Sequence, residues 1–336
     1  MDFLNALVVL ANFVLIPAIA YGSQLALGAL GVTLVYGVLR FSNFAHGDTM
    51  AFGAMIAVLM TWWLQGQGVS IAPLPTALLA LPAAIAATIA LVLITDRLVY
   101  RHYRRAKAAP VVLVMVSIGV MFVMNGIVRL VIGVADHSFT DGARFVITVV
   151  AFREMTGLQE GLALRTTQLI TLVTAVLMVA GLFYLLKRTR IGKAMRAFAD
   201  NEDLALLSGI RPDRVVMLTW ILAATLATTA GTLYGLDKSF KAFTYFQLLL
   251  PIFAAAIVGG LGSPLGAIAG GFVVAFSEVA LTYAFKRVLG HLLPETLAPE
   301  GLVQLLSTDY KFAVSFLILV LVLLVRPTGL FRGQSV

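Results

Sequence analysis

The chain has 336 residues, of which 60% are hydrophobic and only 12% are charged. Soluble domains carry about 25% charged residues, so this composition excludes a soluble fold and indicates a chain embedded in a lipid bilayer. The absence of cysteine excludes a disulfide framework, a thiol nucleophile and a cysteine metal site, and the four histidines show no metal-ligand spacing. The net charge of +8 lies between apolar runs, which is typical of membrane topology and not of nucleic-acid binding. No metal or cofactor is expected.

Apolar runs follow one another along the chain, most of them close to the length of about 20 residues that a membrane-spanning helix needs. They are continuously apolar and do not alternate as the strands of a membrane β-barrel do, so they predict helices. The expected fold is one all-α membrane domain over 1–336, a bundle of about eight to ten transmembrane helices. Segments 23–64 and 246–285 are expected to contain broken or re-entrant helices. The runs are 3–21, 23–39, 49–64, 76–95, 110–133, 168–186, 215–235, 246–262, 265–285 and 310–325.

Charge predicts the orientation of these runs. Connection 96–109 has five Arg and Lys residues against one Asp, and segment 187–214 has seven against four Asp and Glu. Connections 134–167 and 286–309 each have one more acidic than basic residue. Counting ten spans places both basic segments on one side of the membrane. The positive-inside rule makes that side cytoplasmic, together with both chain termini.

An unusual polar cluster separates two apolar runs in the first half of the chain. It extends from Arg40 to Asp48 and includes Asn43 and His46. Burying such polar residues within the membrane costs free energy unless they face water, protein or solute. If the chain unwinds there, the free N-terminus of the next helix has a partial positive charge that can hold a substrate carboxylate. The alternative is a cytoplasmic turn in which Asp48 caps the helix and His46 is structural.

A glycine-rich turn at 259–266 interrupts the apolar runs of the second half. Gly262, Gly266 and Gly270 fall on one helix face. This pattern favours close packing of two helices; the alternative is that the glycines line a narrow substrate path. Pro264 predicts that a helix starts there. Paired Gly/Pro interruptions in two halves of a chain indicate a substrate site near the bilayer midplane. The turn supplies five candidate path residues, Gly259, Gly260, Gly262, Ser263 and Gly266.

The basic segment 187–214 has apolar residues at helical spacing, and Gly209 is a stop signal. It predicts one or two short amphipathic helices. Such a helix is either an anchor on the membrane surface or a knob that fits a cleft on a partner, and the composition leaves both open.

Motifs of ATP binding and of hydrolysis are absent from the sequence. There is no G-x-x-x-x-G-K-[ST], no H-E-x-x-H and no G-x-S-x-G. The chain is therefore not expected to be an enzyme, and transport driven by ATP needs another chain to supply it. A secondary transporter driven by ions is the less favoured alternative, because it needs intramembrane carboxylates and Glu278 is nearly the only deep one.

Three ordered motifs resemble those of the branched-chain amino acid ABC transporter permeases. The first is GVTLVYGVLRFSNFAHGD at 31–48, and the second extends from Arg190 to Ile210. The third combines the turn at 259–267 with the C-terminal run 326–330. The resemblance therefore spans nearly the whole chain. Urea and short-chain amide permeases are close relatives of this family and remain an alternative.

The resemblance implies a permease subunit that carries Leu, Ile or Val across the bacterial cytoplasmic membrane with ATP hydrolysed by partner subunits. The implied partners are a second homologous permease, two ATP-binding cassette subunits and an extracytoplasmic solute-binding protein. Segment 187–214 would be the coupling loop, although only Asp203, Ala205 and Gly209 fit the E-A-A-x3-G pattern of ABC importers. The expected coupling residues are Arg190, Gly192, Arg196, Asp203, Ala205 and Gly209. The expected substrate path comprises Asn43, His46 and the five residues of the glycine turn.

Overall fold

A computed structural model describes residues 2–71, 74–139, 141, 144–292, 301, 303–326 and 328–331. Within these residues the protein is almost entirely helical, and nine helices are long and apolar enough to cross a membrane. The membrane helices are α1 (Asp2–Leu10) continued by α2 (Ile16–Leu39), α3 (His46–Gly66), α4 (Ala77–Thr95) continued by α5 (Arg101–Arg105), α6 (Pro110–Ile132), α8 (Thr166–Arg188), α11 (Pro212–Lys238), α12 (Ala242–Gly259), α13 (Pro264–Thr282) and α15 (Lys311–Val325). The connections contain β1 (Phe145–Ile147), α7 (Val149–Thr156), β2 (Leu164–Arg165), α9 (Arg190–Asp200), α10 (Glu202–Leu207) and α14 (Lys286–Leu292).

The first two predicted spans, 3–21 and 23–39, form one continuous helix, Asp2–Leu39. The expected break near Gly22 is wrong for a packing reason. A β-carbon at Gly22 would lie 2.6 Å from the ring of Phe272, so the glycine permits close contact with α13 and does not end the helix. The predicted bundle of eight to ten helices is confirmed, with nine in the described residues in place of the ten that were counted.

Helix α2 is the central helix of the bundle and is buried along most of its length. It packs against α11, α12 and α13, and glycines permit the closest approaches. A β-carbon at Gly28 would lie 2.9 Å from Ile252, and one at Gly271 would lie 2.7 Å from the backbone nitrogen of Ala26. Lipid tails are as apolar as the side chains in the bundle, so these tight contacts, and not a hydrophobic driving force, hold the helices together.

The two basic segments of the sequence lie together at one end of the bundle, which we call the basic end. Arg101 of α5 forms an ion pair of 2.8 Å with Asp213 at the start of α11. Arg40, at the end of α2, donates a hydrogen bond to the carbonyl oxygen of Ala199 in α9. The loop after α2, helices α9 and α10, and the connection between α5 and α6 therefore share this end.

Glu160 joins three segments at the opposite end, which we call the acidic end. Arg287 of α14 donates two hydrogen bonds of 2.9 Å to its carboxylate, and the ring of His291 lies 3.0 Å from one of the oxygens. The backbone N–H of Glu160 donates to the side chain of Asn5 in α1. Burial raises the pKa of Glu160, but the hydrogen bonds from His291 and Arg287 outweigh it and hold the pKa below its usual range. The connection after α6 is therefore tied to α14 and α1 at neutral pH.

Candidate functional site

The polar cluster at 40–48 forms a short loop between α2 and α3 at the basic end. Arg40 ends α2 in the left-handed conformation, with φ of 58°. Asn43 is buried, and its side-chain oxygen accepts hydrogen bonds of 3.1 Å from the N–H of Ala45 and from the hydroxyl of Tyr100. The asparagine thus anchors the loop to the helix that contains α4 and α5.

His46 is the first residue of α3, and its ring is buried against α2. A β-carbon at Gly31 would come within 2.4 Å of ring atom Cε1, so only glycine gives the ring this position. The Nε2 atom of His46 makes no hydrogen bond of normal geometry among the described residues, and the ring lies beside the backbone of Gly28 in α2. Asp48 accepts a hydrogen bond of 2.7 Å from the side chain of Asn125 in α6, and its second oxygen also has no partner there. Each side chain thus buries one polar atom that accepts or donates no hydrogen bond among the described residues.

Further polar atoms without a partner lie inside the bundle, on α2, α3 and α11. Leaving such a group unpaired costs about 1–3 kcal/mol in mutational measurements, so these groups are expected where water or solute reaches them. From Gln24 to Thr33 they follow about 14 Å of α2. The set among the described residues includes Gln24 Oε1, Thr33 Oγ1, His46 Nε2, Asp48 Oδ2, Thr228 Oγ1 and Thr232 Oγ1.

The glycine-rich turn lies at the basic end and not near the middle of the bundle, which corrects the expectation of a midplane site. It joins α12 to α13, where the two backbones touch. A β-carbon at Gly259 would lie 2.0 Å from the carbonyl oxygen of Gly266, and one at Gly266 would lie 2.2 Å from that of Gly259. Ser263 caps α13, because its hydroxyl accepts a hydrogen bond of 3.2 Å from the N–H of Gly266. The predicted helix start at Pro264 is confirmed.

The turn also holds the C-terminal run of the chain. Gly260 and Gly262 have φ of 105° and 85°, which glycine adopts without steric strain. A β-carbon at Gly329 would lie 2.6 Å from the backbone nitrogen of Gly260. The two parts of the third sequence motif are therefore in contact, although Pro327 lies outside the described residues.

The basic segment after α8 folds into α9 and α10, as its apolar spacing predicts. Each helix starts with a side-chain cap: Thr189 accepts a hydrogen bond of 3.0 Å from the N–H of Gly192, and Asn201 accepts one of 3.0 Å from the N–H of Leu204. A β-carbon at Gly192 would lie 2.2 Å from the carbonyl oxygen of Leu185. Glycine at this position therefore allows α9 to fold tightly back onto the last turn of α8.

Helices α9 and α10 bury one face and expose the other. Met195, Phe198 and Ala205 are buried against the bundle. Leu204 and Leu207 of α10 are 61% and 86% exposed, an unusual degree for leucine in a short helix. Of the predicted coupling residues, Arg190, Arg196, Asp203 and Gly209 are exposed, whereas Gly192 and Ala205 are buried.

A cavity of about 570 Å³ lies between α9, the basic end of α2 and the glycine-rich turn. Thr33 and Gly37 of α2, Arg196 of α9, and Gly262 and Ser263 of the turn contribute to its walls. This volume is in the range of small-molecule pockets, about 300–1,000 Å³. The structure thus brings one predicted coupling residue and two predicted path residues to one cavity, while Asn43 and His46 lie outside its lining.

A polar network around Asp96 has no counterpart in the sequence predictions. Asp96 accepts hydrogen bonds from the guanidinium of Arg104 and one of 2.7 Å from the indole N–H of Trp220 in α11. The ring of Tyr100 stacks on Trp220, with centroids 5.2 Å apart. Charge counting places Asp96, Tyr100 and Arg104 in a cytoplasmic loop that only sets the membrane topology. They meet because the helix continues through Asp96–Tyr100 as a π-helical stretch, which no local signal predicts.

Comparison with known families agrees with these motifs. Residues 14–323 match the model of the branched-chain amino acid transport system permease component family. The chain belongs to this family. The match includes the loop at 40–48, helices α9 and α10, and the turn between α12 and α13, so it covers every candidate site described above.

Individual relatives match along almost their whole length. The chain is 31% identical over 323 residues to the high-affinity branched-chain amino acid transport system permease protein LivH of Salmonella typhimurium, covering 95% of this chain and 94% of that protein. It is 29% identical over 325 residues to the corresponding protein BraD of Pseudomonas aeruginosa, covering 96% of each. A shorter similarity, 29% over 102 residues, extends to LivM of Salmonella typhimurium, covering 29% of this chain and 24% of that protein. No solved structure gives a significant match.

Proposed function

We propose that this chain is the permease subunit of an ATP-driven importer of Leu, Ile and Val. The observation that supports it most is the arrangement of α9 and α10. They are anchored to the bundle by buried side chains, α10 exposes Leu204 and Leu207, and α9 adjoins the cavity at the basic end. The sequence lacks a phosphate-binding loop, so ATP hydrolysis falls to partner subunits and the chain itself acts as a transport subunit.

In the proposed mechanism, ATP-binding subunits dock on the exposed face of α9 and α10. Their closure displaces α9, which contacts two helices of the bundle. Gly192 transmits the displacement to α8 by backbone contact, and the bond from Arg40 to Ala199 transmits it to α2. The cavity wall at Ser263 lies where α12 turns into α13. These helices then open the cavity alternately to the two sides of the membrane.

The proposal also implies the other subunits of the transporter and the orientation of this chain in the membrane. A second homologous permease completes the pathway, and an extracytoplasmic solute-binding protein delivers the amino acid. The basic end faces the cytoplasm of a bacterial inner membrane by the positive-inside rule. With nine crossings in the described residues in place of ten, the C-terminus stays cytoplasmic and the N-terminus moves to the extracytoplasmic side.

The proposed substrate path follows the unpaired polar atoms of α2, α3 and α11 towards the basic end. His46 presents Nε2 to this path, Asn43 fixes the loop that positions His46, and the glycine-rich turn forms the exit. A path with few polar groups binds the solute weakly. This suits an importer in which the binding protein selects the solute, because the permease then only has to pass the solute on and release it. The structural alternative is that His46 only fills the space beside Gly31.

His46→Ala is expected to lower amino-acid uptake by about tenfold, a barrier increase of about 1.4 kcal/mol, because the path loses a polar group that meets the solute. Uptake is measured in proteoliposomes with all partners present, together with the Tm and ATPase capture. His46→Gln retains a polar group and should restore part of the uptake. His102→Ala, at an exposed histidine of the basic end, is the control. Uptake that is unchanged in His46→Ala removes the residue from the path.

Leu204→Ser with Leu207→Ser is expected to weaken capture of the ATP-binding subunits by about 30-fold or more, because burying a leucine side chain at the interface contributes about 1.5–3 kcal/mol. The tagged chain is purified in mild detergent, and each co-purifying chain is identified and quantified. Both leucines are exposed, so the fold should be unaffected.

The matched control is Val150→Ser with Met155→Ser, which removes two exposed apolar side chains of α7 at the acidic end. Equal capture by both variants would contradict docking on α10. Recovery of the chain alone, with uptake driven by an ion gradient, would contradict the proposed function itself.

A further inference from the structure

An apolar groove lies on the outside of the bundle between α6 and the helix that contains α4 and α5. Its volume is about 510 Å³, and its walls include Ile94, Leu98 and Tyr103 on one side and Val116, Gly119 and Val123 on the other. Leu98 is 73% exposed. A β-carbon at Gly119 would have no atom within 4 Å, so the missing side chain opens the groove. From Ile94 to Tyr103 the groove follows about 14 Å of helix, a length suited to a hydrocarbon chain.

Three cations lie on or just beyond the helix that forms one wall of this groove, Arg97 beside the wall and the other two past its basic end. Arg97 precedes the lining residue Leu98, and Arg105 and Lys107 follow the lining residue Tyr103. All three are exposed, and none has an ion-pair partner among the residues that the structure describes. By contrast, their neighbours Arg101 and Arg104 are paired with Asp213 and Asp96. Among the basic residues of 97–107, the unpaired ones are therefore Arg97, beside the groove wall, and Arg105 and Lys107, just past its basic end.

We propose that the groove binds an anionic glycerophospholipid of the bilayer. One acyl chain lies between the two helices, and the phosphate lies against Arg97, Arg105 and Lys107. Basic pockets between membrane helices on the cytoplasmic side recognise anionic headgroups in this way, and each cation contributes to the attraction. Tyr103 lies between the apolar and the charged parts, where a tyrosine has one apolar and one wet end. The inference depends on the membrane location of the chain and not on its proposed substrate.

Lipid binding is measured by purifying the complete complex from nanodiscs that contain equal amounts of phosphatidylglycerol and phosphatidylcholine, and by quantifying the retained lipid with mass spectrometry. Phosphatidylglycerol is expected to be retained selectively. Arg97→Gln, Arg105→Gln and Lys107→Gln together should lower its affinity about 100-fold. Gly119→Leu keeps all three charges, fills the groove and should also release the lipid.

Two matched variants keep this test specific. Gly126→Leu adds the same side chain to α6 at a second glycine with open surroundings, outside the groove lining, and should retain the lipid. Arg144→Gln, Arg153→Gln and Arg165→Gln remove three charges at the acidic end and should also retain it. Equal retention of both lipids, or lipid retention that Gly119→Leu leaves unchanged, overturns the proposal. Loss of a partner permease in Gly119→Leu, with lipid unchanged, would identify the groove as a protein interface and overturn it as well.

Discussion

Gly259→Ala is expected to lower the free energy of unfolding by about 3 kcal/mol or more and the Tm by about 5–10 °C. The new methyl group would lie 2.0 Å from the carbonyl oxygen of Gly266 and 2.8 Å from the backbone nitrogen of Ala267. Backbone atoms cannot rotate away as the end of a flexible side chain can. Helices α12 and α13 therefore have to separate along the line on which they are most closely packed. The measurement is thermal unfolding of the detergent-solubilised protein, followed by its elution as a monodisperse peak.

Gly181→Ala in α8 is the matched control, because a β-carbon there has no atom within 4 Å. Alanine is a better helix former than glycine by about 1 kcal/mol, so this variant should be as stable as the parent or slightly more so. Similar Tm values for Gly181→Ala and Gly259→Ala would show that the backbone contact contributes nothing to stability. A folded Gly259→Ala protein also permits a functional comparison. Its uptake should fall further than its stability explains, because the displaced turn forms a wall of the cavity beside α9.

The sequence predicts the class of fold well, because the bilayer leaves so few solutions. Helices are required wherever an apolar run is long enough, since every backbone polar group must be paired within the segment. The start of α13 at Pro264 and the amphipathic character of α9 follow from local signals of the same kind. The family resemblance rests on motifs whose parts the structure places in contact, such as Gly329 beside Gly260.

The failures of prediction have a common physical cause. The runs 3–21 and 23–39 divide at Gly22, whereas this glycine permits close packing against Phe272 within one continuous helix. At Asp96 a charge was assigned to a loop, whereas it accepts a hydrogen bond from Trp220, more than a hundred residues away. In both cases the role of the residue is set by a distant partner on another helix. Periodicity, capping and charge counting do not contain that information.

Glu278 and Lys311 join α13 to α15 by an ion pair in which the carboxylate is buried and the lysine side chain is 27% exposed. The ammonium of Lys311 lies 3.6 Å from one carboxylate oxygen of Glu278 and 3.8 Å from the centre of the Tyr21 ring. The hydroxyl of Ser315 donates to the other oxygen. Lys311→Met alone is expected to destabilise the protein by about 3–5 kcal/mol, because the Glu278 carboxylate stays buried without its partner. Glu278→Leu alone should destabilise it less, because the remaining Lys311 side chain is 27% exposed.

The double variant, Glu278→Leu with Lys311→Met, is expected to be nearly as stable as the parent, since apolar replacement of a buried pair is often neutral or stabilising. Unfolding measurements on the parent, the two single variants and the double variant give the interaction energy directly. A double variant as unstable as the single variants would show that loss of the ion pair is not the cause of the destabilisation.

The double variant also distinguishes ion-coupled transport from transport driven by ATP. An ion-coupled transporter needs a carboxylate that binds and releases the ion, so replacing Glu278 would abolish its uptake. A permease driven by ATP through α9 and α10 should keep uptake, because in this case Glu278 only holds α15 against α13.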